Sequence, residues 1–172
     1  TDGARGATLF GRYLAALEER RRHFIARGAV SADHGTLQPE TLQLDHAEAD
    51  TLLERLLAGR GDVQDAARFS AHMLYQMARM SVEDGLVMTI HAGVLRNHHT
   101  PTFERHGPDT GHDLPVATHF VEPLRALLED FGTAEGFHLV LFAVDETSWS
   151  RELAPLAGFY PSVYLGAPWW FL

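Results

Sequence analysis

The sequence predicts an α/β fold built from four strand–helix units, and three observations carry that expectation. Short apolar runs recur along the chain, each followed by a cluster of polar or aromatic residues. Segments with apolar residues at helical spacing separate these runs, which is the pattern of parallel strands joined by crossover helices. No Gly-x-Gly-x-x-Gly follows any run, so a dinucleotide-binding arrangement loses its main support. A doubly wound sheet and a (β/α) barrel both remain, and in both, ligands bind at the carboxyl ends of the strands. A full barrel takes about 250 residues, and four strands in 172 residues amount to half of one.

The elements follow in order. Leu9, Phe10, Tyr13, Leu14 and Leu17 recur at helical spacing, and Arg20, Arg21 and Arg22 follow near the helix end, where cations suit the dipole. Gly28 supplies a residue able to close that helix. Ala29-Val30-Ser31-Ala32 reads as a strand delivering Asp33-His34-Gly35 at its end. Asp45 and Glu48 begin a second helix, with Ala49, Leu52, Leu53, Leu56 and Leu57 on one stripe. Asp62 caps a third, in which Phe69, Met73, Met77 and Met80 face inward as packing residues.

Leu86 to Ile90 is the second strand, ending at His91-Ala92-Gly93. Val94 to Ala117 reads as a long polar loop, and loops longer than about 12–15 residues are usually functional or disordered. Thr118 to Phe131 returns to helix. Phe137 to Val144 is almost continuously apolar, as suits a strand buried on both faces. A short helix around Arg151 to Ala157 leads to the last strand, Ser162 to Gly166, and then to Pro168-Trp169-Trp170.

Composition narrows the chemistry. With no cysteine, there is no disulfide framework and no thiol nucleophile. All 14 basic residues are arginine, so lysine Schiff-base chemistry is absent from this chain. A formal charge of −9 argues against nucleic-acid partners and anionic lipid, and no apolar run is long enough to span a membrane. A soluble, cytoplasmic protein is the expectation. The chain starts at Thr1 and stops within an apolar aromatic run, which points to an internal segment of a longer protein.

The strand ends hold the candidate site residues. His34 and His91 could serve as acid/base groups, as donors to a substrate or as metal ligands, although neither has the spacing of a strong metal motif. Arg96 could clamp a carboxylate bidentately. Trp169 or Trp170 could wall a sugar ring, while the other packs inward. Asp109-Thr110 reads as part of a turn, and His98, His99, His106 and His112 as solvated or supporting residues.

These residues also carry a resemblance. Ile90-His91-Ala92-Gly93-Val94-Leu95-Arg96-Asn97, then Thr100-Pro101-Thr102-Phe103 and Gly107-Pro108-Asp109-Thr110-Gly111, resemble motifs of the uronate (glucuronate) isomerase family. Ala32-Asp33-His34-Gly35 and Gly166-Ala167-Pro168-Trp169-Trp170-Phe171 resemble two more, in the same order. The resemblance implies a (β/α)8 barrel of the amidohydrolase superfamily, with residues 1–172 as a partial barrel domain covering roughly strands four to seven.

It implies an aldose–ketose isomerase that interconverts D-glucuronate with D-fructuronate and D-galacturonate with D-tagaturonate by moving a proton between C2 and C1. His91 and His34 would then serve the sugar hydroxyls or carbonyl, Arg96 the uronate carboxylate, and Trp169 or Trp170 the ring. It further implies a divalent metal, expected to be zinc, with its main ligands outside this segment and His91 the one conceivable contact within it. A hexuronate is the expected partner, and a homo-oligomer stays open. Two departures bear on substrate preference: Pro168 before the paired tryptophans, and Asp145-Glu146-Thr147 without an Asn-Pro start. A metal-dependent hydrolase on the same scaffold and a noncatalytic carbohydrate-binding α/β domain are the alternatives.

Overall fold

A computed structural model describes residues 8–167. Four parallel strands form its main sheet: β1 (Ser31–Thr36), β2 (Val87–Ala92), β5 (Leu139–Phe142) and β6 (Val163–Leu165). Their spatial order, β1-β2-β5-β6, is also their order along the chain. A doubly wound sheet reverses its strand order at a switch point. This one does not, which leaves the barrel arrangement.

The helices explain which face is buried. Helix α1 (Leu9–Ile25) starts at Thr8, whose side chain accepts from the Gly11 N–H. Helix α2 (His46–Leu57) starts at Asp45, which accepts from the Glu48 N–H, and α3 (Val63–Asp84) opens on a capping box between Asp62 and Asp65. Leu74 and Ala78 of α3 share one buried apolar cluster with Met88, Ile90 and Ala92 of β2, Leu139 and Leu141 of β5, and Leu127 and Leu128 of α5 (Arg125–Phe131). A second apolar cluster joins α1, α2 and α3 through Phe10, Leu44, Ala49, Leu52 and Leu53, with Phe69 and Met73 against it. The methionines of α3 are thus packing residues.

Several sequence expectations shift. The first strand runs two residues later than expected and takes Asp33, His34 and Gly35 into its interior, because pairing with β2 outweighs their weak strand preference. His91 likewise lies within β2. Leu57 leaves the buried stripe and is exposed. The Arg20–Arg22 run is not all solvated: Arg21 is buried, donating from Nε to Asp84 at 2.6 Å and from Nη2 to Ser81 at 2.9 Å.

The expected long loop is folded. It holds a two-residue hairpin, β3 (Val94–Leu95) with β4 (Leu114–Pro115), and the short helix α4 (Thr100–His106) between them. The helix expected from Thr118 shortens to α5, since Phe120 and Val121 spend their N–H groups on the carboxylate of Glu152 instead. The last helix is longer than expected: α6 (Glu146–Ser148), a π turn (Trp149–Leu153) and α7 (Ala154–Phe159) run on from one another. The π register, with Ala154 N–H donating to Trp149 O, falls just before Pro155, which has no N–H to give. Finally, β5 is buried on its helix face only, with Val140 and Phe142 half-buried on the other.

Candidate active site

The parallel register sorts side chains onto two faces. Asp33 pairs with Thr89 and Thr89 with Val140, and His91 pairs with Phe142, so these residues share the face away from the helices. His34 pairs with Ile90 and takes the opposite, helix-facing side. The two histidines expected together on one rim are therefore separated, because neighbours on a strand point to opposite faces. Asp33 takes the place next to His91.

The resulting cluster is compact. His91 Nδ1–H donates to Asp33 Oδ1 at 2.7 Å, and the Thr89 hydroxyl donates to the same oxygen. The imidazole stacks on Phe142, with ring centroids 4.2 Å apart and 14° between planes. A carboxylate that accepts from Nδ1 fixes the tautomer and makes Nε2 the ring atom able to meet a ligand. Burial pushes the Asp33 carboxyl up, but the bonds from Thr89 and His91, with the nearby His91 charge, hold it below the ordinary carboxylate value. It stays ionised. Phe142 is itself backed by Gly166, where a Cβ would fall 2.5 Å from the phenyl ring.

His34 has a structural environment. Its Nδ1–H donates to the Thr89 carbonyl at 3.1 Å. Burial pushes its imidazole below the ordinary value, partly opposed by that bond, so the ring is neutral near pH 7. It sits behind the strand that carries Thr89, and it contributes no group to the His91 face.

Arg96 reaches the same end of the sheet by a built route. Gly93 follows β2 at φ +89°, and a Cβ there would lie 2.3 Å from Thr118 Oγ1, so only glycine fits. Its N–H meets the carbonyls of Thr36, at the end of β1, and of Leu37 just past it, and its own carbonyl accepts from the Val116 N–H. The β3–β4 hairpin is anchored at this point, and Arg96 follows β3, with Nη1 donating to Asp113 Oδ2 at 2.9 Å. The loop histidines divide. His98, His99 and His106 are exposed. Both ring nitrogens of His112 are buried with no hydrogen-bond partner among the described residues, which the sequence does not foretell.

Trp169 and Trp170 lie outside the described residues. Among the described residues, no group of three or more His, Asp or Glu side chains could hold a metal ion. Asp33 and His91 do not make a cation site alone, since the histidine's Nδ1 is committed to the aspartate. No helix of the described residues is long and apolar enough to cross a membrane.

Sequence reasoning missed Asp33, Thr89 and Asp113. The first was visible as the neighbour of His34, and only the strand register reveals that it is the member facing His91.

Comparison with known proteins shows the family. Residues 6–172 match the family model described as glucuronate isomerase. The uronate isomerase of Corynebacterium efficiens is 48% identical over 160 residues, covering 93% of this chain and 34% of that protein. The one from Brucella canis is 49% identical over 159 residues, again covering 34% of its length. The crystal structure of glucuronate isomerase from Caulobacter crescentus superposes with a TM-score of 0.89 at 46% identity, covering 92% of this chain and 33% of that one. Uronate isomerase from Thermotoga maritima gives 0.86 at 32%, covering 95% and 36%. The chain spans about a third of the length of the relatives it matches.

Proposed function

Because this chain belongs to the glucuronate isomerase family, we propose that it carries part of the active site of an aldose–ketose isomerase acting on hexuronates. The four parallel strands are then part of a (β/α)8 barrel whose carboxyl-end rim holds the site. The observation that carries the reading is the family match across residues 6–172, which includes the Asp33–His91 pair and Arg96 on that rim.

The reaction asks for few operations. A proton leaves C2 of the aldose, the carbonyl at C1 becomes an enediol hydroxyl, and a proton is returned to C1 as the carbonyl forms at C2. Such a site must hold the sugar oxygens while charge develops on them, and it must anchor the uronate carboxylate. His91, with Nδ1 held by Asp33, presents Nε2 to a hydroxyl or carbonyl oxygen of the sugar. Arg96, set by Asp113, receives the carboxylate. Trp169 or Trp170 walls the ring. The substrates under this reading are D-glucuronate and D-galacturonate, giving D-fructuronate and D-tagaturonate.

The divalent metal, zinc, belongs to the same proposal, with its main ligands outside the described residues and His91 contributing one nitrogen at most. A bound cation would polarise a substrate oxygen. A cytoplasmic location completes the reading, and a homo-oligomer stays open.

The test is to incubate full-length protein with D-glucuronate and follow ketose formation and C2-proton exchange by NMR, with and without chelator. Ketose formation is expected, lost on chelation and restored by zinc. Neither ketose nor exchange, in the presence of added zinc, would sink the isomerase reading; hydrolysis of amides or esters in its place would indicate a hydrolase.

A further inference from the structure

Resting on the reading of Arg96 as the residue that receives the uronate carboxylate, we infer that Asp113 is its positioning residue. The β3–β4 ladder pairs Val94 with Pro115 and Leu95 with Leu114. The ladder stops there, and Arg96 and Asp113 are the residues that flank its open end. There Asp113 Oδ2 accepts from Arg96 Nη1 at 2.9 Å, while Oδ1 accepts from the Asn97 main-chain N–H at 2.9 Å. A single carboxylate therefore ties the guanidinium to the backbone of the next residue.

The two partners differ in freedom. The Asp113 side chain is 10% exposed and that of Arg96 is 52% exposed. The carboxylate is the fixed member, and the guanidinium is hung on it. Asp109 lies 3.9 Å from the same Nη1. Asn97 and Asp109 both adopt left-handed backbone, φ 57° and 59°, which short polar residues tolerate better than others.

Charge alone gives no reason for this arrangement. A carboxylate beside a guanidinium weakens its pull on a second anion. What Asp113 supplies is order: the long arginine side chain loses rotamer freedom on binding, and fixing its planar fork beforehand removes that cost from ligand capture. If Asp113 served only to pin the hairpin through Asn97, its loss would be felt equally with or without Arg96.

That difference sets the test, a double-mutant cycle in the full-length protein read by the calorimetric Kd for D-glucuronate. Wild-type protein that binds no D-glucuronate removes the activity reading, and an unchanged Kd in Arg96→Ala removes the carboxylate role of Arg96; either takes the inference with it. With Arg96→Ala weakened, Asp113→Ala is expected to weaken binding about 5- to 30-fold when Arg96 is present, and less than about twofold when Arg96 is already alanine. Equal losses in both backgrounds, or no loss in either, overturn the inference alone. Asp113→Asn keeps the side-chain size and carries the same cycle, read in the same way, should Asp113→Ala fail to fold.

Discussion

Asp33 and His91 lie 58 residues apart in sequence and meet at 2.7 Å across two adjacent parallel strands. Register places Asp33 beside Thr89 and His91 beside Gly35, so the bond runs diagonally over two register positions. The Thr89 hydroxyl bonds the same carboxylate oxygen. Three side chains of two strands thus form one fixed unit.

That unit makes the first prediction. Asp33→Ala in the full-length protein leaves the imidazole of His91 without its tautomer lock, and kcat for D-glucuronate is expected to fall about 10- to 100-fold. NMR of ketose formation measures this, with circular dichroism to show retained structure. A kcat within about twofold of wild type would take Asp33 out of the site.

His34 behaves differently. Because its ring faces the helix layer and donates to a backbone carbonyl, His34→Asn is expected to leave kcat within about threefold and to cost about 1–2 kcal/mol of stability. A loss of turnover as large as that of Asp33→Ala, in a folded variant, would return His34 to the chemistry.

Burial holds the imidazoles of both His34 and His72 below their ordinary value of 6.5. The unfolded chain therefore binds protons first as pH falls, and stability that is complete well above pH 6.5 declines through the lower folded values. Urea denaturation between pH 8 and pH 5 should show the decline, and His72→Asn should flatten it. A pH-independent midpoint for wild type would contradict the neutral buried rings.

Glu152 is the opposite kind of anchor. Burial pushes its carboxyl up, but the Phe120 N–H, His119, Arg151 and the Val121 N–H outweigh that and hold it down to about 2, against an ordinary value of 4.5. Its stabilisation is full above pH 4.5 and lost as pH falls toward about 2. Glu152→Gln is expected to cost about 1–3 kcal/mol at pH 7. In guanidinium unfolding, the gap between variant and wild type should narrow toward pH 3; a constant gap would mean that charge is not what matters there.

Gly93→Ala places a methyl group against Thr118 Oγ1 at a residue with φ +89°. A loss of about 2 kcal/mol or more is expected, together with weaker D-glucuronate binding, because the hairpin bearing Arg96 is anchored at that residue. Unaltered thermal midpoint and Kd would show that the anchor is dispensable.

Much of this was legible in the sequence. Asp45 and Asp62 marked helix starts because a short carboxylate before an amphipathic run has one local use, and Leu139 and Leu141 marked a strand by their apolar neighbours. His91 was found because it sits at the end of such a strand, and Arg96 because it follows His91 by five residues. What stayed hidden depends on register. Whether Asp33 or His34 faces His91 turns on a one-residue step, and β1 has too little apolar alternation to declare it. The Arg96–Asp113 contact needs a hairpin across 17 residues whose polar composition reads as loop.

The coincidence of spatial and sequence order in the sheet bears on how the protein is made. As the chain leaves the ribosome, β2 emerges with β1 already available, β5 with β2, and β6 with β5. Each strand joins an existing edge, and no pairing in this sheet waits for a segment synthesised later to slip between two earlier ones. Assembly of the Asp33–His91 pair needs only the first two strands. That pair can therefore form before β5 and β6 have left the ribosome, while the strands that complete the described sheet are still to come.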